Sequence, residues 1–204
     1  MENKVQQIIP RVFKLYQRYG IKSVTMDDVA QHLGISKKTL YEFFRDKEDL
    51  VKQVFLWDFN VKFDFFLQIE EKNLNAIEEL FEVYQLIKEI FREYNPSVEY
   101  DIRKYYPSLF SQFKEIKRKR FYELSVKNLN KGIHEGLYRS NLNSSVLARL
   151  HVFRVENILE SELFSVEELT SIPVFHEIFV YHLRGILSEE GKKILEINHE
   201  KFSR

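Results

Sequence analysis

The chain has 204 residues; Lys plus Arg total 31, as do Asp plus Glu, so the formal charge is zero. That balance excludes a surface uniformly coated in positive charge and confines any nucleic-acid contact to a local patch. The absence of cysteine excludes disulfide scaffolds, zinc–thiolate sites and thiol catalysis. Eighteen Phe and eleven Tyr beside six Gly and four Pro favour helices over turn-rich sheets, in a length suited to one or two domains. The opening stretch 1–9 carries Glu2, Asn3, Lys4, Gln6 and Gln7, so it lacks the apolar core of a signal peptide. The most apolar run, 51–69, is interrupted by Lys52, Gln53, Asp58, Asn60, Lys62, Asp64 and Gln68, which a membrane span would not tolerate. The expectation is a cytoplasmic, soluble, all-α protein with no membrane partner.

Apolar residues Ile8, Ile9, Val12, Phe13, Leu15 and Tyr16 recur at helical spacing, and Gly20 ends the run. Pro10 predicts that the regular helix either starts there or bends there. Thr25 with Asp28 three residues on reads as a helix start, running through Val29, Ala30 and Leu33 to Gly34. Ser36 caps the next helix, which carries Leu40, Phe43 and Phe44, and Asp46 opens a third with Glu48 and Asp49 in its first turn. Near residue 47 the helices lengthen. One follows Leu50, Val54, Trp57 and Val61, with Phe59, Phe63 and Phe66 on a second face. A second runs from Ile77 to Tyr94, where Asn95-Pro96 breaks it. A third carries Phe110, Phe113, Phe121 and Leu124 and ends around Gly132–Gly136, and two more span roughly 145–161 and 173–187. No strand alternation interrupts them. The predicted organisation is a small helical module over 1–46 on a larger helical body over 47–204.

The informative segment is TMDDVAQHLGISKKTLYEFFRDK, residues 25–47. A helix-turn-helix needs a small residue where its helices cross, and Ala30 supplies it. It needs a residue tolerant of positive φ in the turn, and Gly34 stands four positions later. Val29, Leu33, Ile35 and Leu40 fall where they would pin both helices to a core, leaving Ser36, Lys37, Lys38 and Thr39 for a groove. A packed helical hairpin without DNA is the bland alternative.

Over residues 8–50 the sequence resembles the TetR family of bacterial transcriptional regulators. The resemblance is carried by Gly20, Thr25, Met26, Val29, Ala30, Leu33, Gly34, Ile35, Ser36, Thr39, Leu40, Tyr41, Phe43, Phe44, Lys47 and Leu50 in that order. The chain departs from it at Pro10 and at Arg11 and Val12, where members usually have small residues. The resemblance implies a DNA site of Thr25, Met26, Ser36, Lys37, Lys38, Thr39, Tyr41 and Lys47. In it Lys37, Lys38 and Thr39 face base edges, while Thr25, Tyr41 and Lys47 contact phosphates. Helix capping alone also accounts for Thr25 and Ser36, a core edge for Tyr41 and a solvated surface for the two lysines. Downstream, the likeness is thin and implies a family-like body without identifying its ligand.

Residues 1–50 hold nine lysines and arginines against seven carboxylates. So small a surplus predicts feeble binding by one copy and tight binding only by a homodimer on double-stranded operator DNA. Phe175, Phe179, His182 and Ile186, a stripe on the last long helix, are the expected dimer contact, with internal packing as the alternative. Phe59, Phe63, Phe66, Phe81, Tyr84, Phe110 and Phe113 read either as core or as the lining of an effector pocket. Lys117, on the face of Phe110 and Phe113, either snorkels or acts as counter-ion to an acidic ligand. The run Lys114–Arg120 reads as the wet side of a helix, or as a second nucleic-acid patch. The resemblance implies a repressor released by a small, largely apolar effector.

The six histidines include no HExxH pair, and neither a Gly-rich phosphate loop nor a GxSxG turn occurs, so an enzyme is not expected. Asp28 and His32 have metal-compatible spacing, but the motif already accounts for their helix. No metal or cofactor is expected. The rival reading is a helical protein–protein adaptor with a vestigial helix-turn-helix, against which Lys37, Lys38, Tyr41 and Lys47 stand together.

Overall fold

A computed structural model describes residues 2–158 and 163–197. Among them the helices are α1 (Glu2–Tyr19), α2 (Met26–Leu33), α3 (Lys37–Phe43), α4 (Lys47–Glu70), α5 (Ala76–Arg92), α6 (Pro96–Tyr105), α7 (Pro107–His134), α8 (Ser144–Asn157), α9 (Val166–Thr170), α10 (Ile172–Arg184) and α11 (Glu189–Ile197). The described residues contain no strand, only an isolated bridge between Tyr138 and Leu187. None of their helices is long and apolar enough to cross a membrane. The fold is all-α, as the scarcity of breakers predicts.

Local chemistry sets most boundaries. Gly20 ends α1 at φ +78°. Thr25 and Asp28 cap α2 reciprocally, Asn75 and Glu78 do the same for α5, and Ser165 and Glu168 for α9. Three boundaries are refined. Helix α1 begins at Glu2 and continues through Pro10, so the proline does not mark its start. Asn95-Pro96 does break the preceding helix, but the pair also serves as N-cap and first turn of α6. The helix expected over 145–161 ends at Asn157; Ser161, like His199, lies outside the described residues.

The chain divides into two compact units: the described residues of Met1–Asp64 with Asn95–Glu115, and those of Phe65–Tyr94 with Ile116–Arg204. The core of the first gathers Val12, Tyr16, Ile21, Leu40, Phe44, Leu50 and Val54 with Val98, Ile102, Leu109 and Phe113. Burying each such large side chain stabilises by roughly 1.5–3 kcal/mol. Two polar ties add to it: Asn95 Nδ2 donates to Gln17 O at 2.8 Å, and Lys22 N donates to Asp101 Oδ2 at 2.8 Å. In the second unit α9 and α10 pack on α5 around Leu80, Phe81, Tyr84, Phe175, Phe179 and Leu183.

Candidate nucleic-acid interface and effector cavity

Helices α2 and α3 cross at a buried Ala30, and Gly34 reverses the chain at φ +70°. The turn is closed by Ile35 N donating to Ala30 O at 3.1 Å. Leu40, fully buried, pins α3 from beneath with Phe44. A seven-residue helix held by one face presents the other, and Lys37, Lys38 and Tyr41 are exposed there. Thr39 is half-buried; its N–H donates to Ser36 Oγ at 3.0 Å, and the two hydroxyls share a hydrogen bond of 2.8 Å. Both residues therefore cap the helix as well as border its exposed face.

Three more of the expected DNA contacts are engaged within the chain. Lys37 Nζ lies 2.8 Å from Asp27 Oδ1, and that carboxylate holds the ammonium above its ordinary pKa. The Thr25 hydroxyl donates to Asp28 Oδ2 at 2.6 Å while accepting from Asp28 N at 3.1 Å, which keeps the Asp28 carboxyl below its ordinary range. Lys47 is half-buried, its Nζ 3.3 Å from Lys22 O, and burial pushes its pKa down. Met26 corrects the expected set: its side chain is buried in the core, so it has only its main chain at the α2 N-terminus to offer a phosphate. Asp27, which no spacing rule singles out, and Arg11 are the residues that sequence reasoning missed. Arg11 Nη2 donates to His32 O at 2.8 Å and ties α1 to the last turn of α2, while Val12 beside it is fully buried.

The second unit holds a partly open cavity of about 160 Å³. Phe66 and Ile69 of α4, Leu80, Val83 and Ile87 of α5, Phe121 and Leu124 of α7 and Val152 of α8 make its apolar walls. His151 and His182 also line it, with ring centroids 4.7 Å apart. Burial and the nearby Arg154 lower the His151 pKa to about 3; burial, His151 and Arg154 push His182 down as well, so both rings stay neutral. His151 Nδ1 is 3.3 Å from Ser125 Oγ, whereas its Nε2 is buried without a partner.

This lining departs from the expected one. Of the eight residues named for a ligand, Phe66 lines the cavity and Tyr84 a smaller hollow of about 40 Å³. Phe81 packs on Phe179 at 5.5 Å in the core. Phe59, Phe63, Phe110 and Phe113 belong to the other unit, where Phe113 stacks on Phe55 at 5.9 Å. Lys117 is exposed on α7 and does not line the cavity, so it is not placed as a counter-ion there. Both α4 and α7 continue from one unit into the other, and a face read along such a helix merges residues of two cores.

The expected dimer stripe is corrected too. Phe175, Phe179 and Ile186 are buried within their own unit, and His182 lines the cavity. Tyr84 supplies the partner that the sequence argument lacked, at 5.9 Å from Phe175 and 4.8 Å from Phe179. Among the apolar side chains left to solvent, Val146, Leu150 and Phe153 form one stripe of α8, and Tyr181 of α10 is exposed as well. Leu150 and Phe153 are 60% and 64% exposed.

Known proteins share this fold. Residues 12–54 match the sequence profile described as bacterial regulatory proteins, tetR family. An HTH-type transcriptional regulator of Staphylococcus aureus (strain USA300) is 36% identical over 70 residues, 34% of this chain and 37% of that relative's length. The crystal structure of a transcriptional regulator from Cytophaga hutchinsonii ATCC 33406 is 23% identical, with a TM-score of 0.79 over 91% of this chain and 99% of its own. That of a TetR transcription regulator from Haloarcula marismortui ATCC 43049 is 14% identical, with a TM-score of 0.76 over 92% and 100%. The two structural likenesses bear on the fold; the sequence matches bear on the helix-turn-helix, and it is that segment, residues 12–54, that belongs with the bacterial regulatory proteins of the tetR family, while the chain spans little more than a third of the curated relative's length.

Proposed function

We propose that the protein is a homodimeric, sequence-specific DNA-binding regulator of transcription, a repressor that leaves its operator when a small, largely apolar effector fills the cavity of its second unit. The observation that carries the reading is α3 itself: pinned at Leu40 and presenting Lys37, Lys38 and Tyr41 to solvent behind a tight Ala30–Gly34 crossing. In a major groove the lysines donate to guanine O6 and N7, and Thr39 borders them. Tyr41, Thr25, Lys47 and the Met26 main chain face the phosphate backbone. The α8 stripe, with Tyr181, is the surface on which two copies associate. An effector that favours by roughly 3 kcal/mol a dimer with wrongly spaced recognition helices lowers operator occupancy over a hundredfold. Helix α4 supports such coupling, being one continuous helix from the first unit into the second. No residue needed by the adaptor alternative stands out, whereas the cations of α3 remain exposed.

The test is binding of the purified protein to DNA fragments from beside its own coding region, over a salt series. Affinity should fall steeply as salt rises, as expected of a dimer with several phosphate contacts per copy. Replacing Lys37 and Lys38 together by Ala should erode the preference for the operator over random duplex more than Lys47→Ala does. Equal loss of preference in both variants would contradict the division into base-reading and anchoring residues.

A further inference from the structure

We propose that the 160 Å³ cavity binds an uncharged ligand of about benzene size whose single hydroxyl hydrogen-bonds to Nε2 of His151. This rests on the effector reading above and names the effector's chemistry. Size comes first. A cavity of about 150 Å³ holds one benzene ring, so a monocyclic ligand fits within this one. The walls formed by Phe66, Leu80, Val83, Ile87, Phe121 and Val152 suit an apolar body.

Charge comes next. Five charged side chains line the cavity, and each is already in an ion pair. Glu79 holds Lys131 at 3.2 Å and accepts from Asn128 Nδ2 at 3.0 Å; Glu70 holds Lys127 at 2.5 Å, and Glu156 holds Arg118 at 2.9 Å. A carboxylate ligand would have to displace one of these partners or draw in Arg154, which lies outside the lining and donates to the Tyr84 hydroxyl. The two imidazoles offer no positive charge, since burial keeps both neutral at pH 7.

One polar atom decides the rest. His151 Nε2 is buried and unpaired, and its ring is fixed by Ser125 on Nδ1 and by stacking on His182 at 4.7 Å and Tyr84 at 5.9 Å. A buried polar atom gains most from a ligand atom that satisfies it. A hydroxyl both donates and accepts, so it matches Nε2 in either tautomer.

The experiment is calorimetric titration of the full chain at pH 7 with p-cresol, toluene and benzoate, three monocyclic probes differing in the group they bring. The expected result is p-cresol bound at least tenfold more tightly than either other probe, with its addition shifting the His151 Nε2 ¹⁵N resonance. In His151→Leu, p-cresol and toluene should bind within about twofold of one another. Tightest binding of benzoate, equal binding of p-cresol and toluene, binding of none of the three, or an unmoved His151 resonance overturns the proposal. These wild-type readouts decide it even where His151→Leu fails to fold. If p-cresol binds as expected but leaves DNA affinity unchanged, the release reading fails and the site stands; if no probe binds while DNA binding is intact, only the site fails.

Discussion

At the scale of single residues, the surface proposed to face DNA carries a cation already paired within the chain. Lys37 is in contact with Asp27, so a base edge must compete with a carboxylate that the duplex phosphates also repel. Asp27→Asn should therefore tighten binding to any duplex about two- to fivefold in the same salt series. Operator preference should change less than total affinity. The buried histidines make a different prediction. Unfolded, each titrates near 6.5, whereas folded His151 resists protonation until about pH 3 and His182 is likewise pushed down. The unfolded chain thus binds more protons below pH 6.5, and stability must fall as pH drops through that value. Each ring contributes at most about 1.4 kcal/mol per pH unit between pH 6 and 4. Urea midpoints over that range should show His182→Phe with the shallower slope.

Among the elements, two glycines separate conformational from steric demand. Gly34 holds φ +70° with open space where a Cβ would stand, so Gly34→Ala should cost about 1 kcal/mol through the backbone alone. Gly132 lies inside α7 with the Tyr138 ring against it; a Cβ there would fall 2.2 Å from the ring. Tyr138 cannot withdraw freely, because its hydroxyl donates to Ala76 O at 3.0 Å. Gly132→Ala should cost about 1–3 kcal/mol, more than Gly34→Ala, when both are compared by chemical denaturation. The capped helices α2, α3 and α5 were legible because their signals are local. The short α6, α9 and α11 were not, although Asn95-Pro96 and the Ser165–Glu168 box stand in the sequence. A five- to ten-residue helix shows too few turns for periodicity to reveal it.

For the whole molecule, the proposed association of two copies is what would turn a weak DNA module into a tight one. Helix α8 buries Ala148 and Val152 while leaving Val146, Leu150 and Phe153 to solvent, so it is apolar on two faces. Leu150→Lys with Phe153→Lys should yield a monomer by sedimentation and reduce operator affinity at least a hundredfold. The circular dichroism of the helices should be unchanged, because neither side chain belongs to the core. A dimer that persists in the double variant would place the contact elsewhere.

The residues from Thr25 to Lys47 carried their own meaning. Caps, the small crossing residue, the turn glycine and the exposed cations all act within a few positions, so order along the chain was enough to specify the helix-turn-helix. The cavity and the outward face of α10 could not be read that way. Phe175 and Phe179 became core because Tyr84, more than ninety residues earlier, packs against them, and Phe110 and Phe113 left the ligand site because α7 serves two cores. Helical periodicity says that a face is apolar; which other residues cover it depends on contacts between distant segments, which only the folded chain decides.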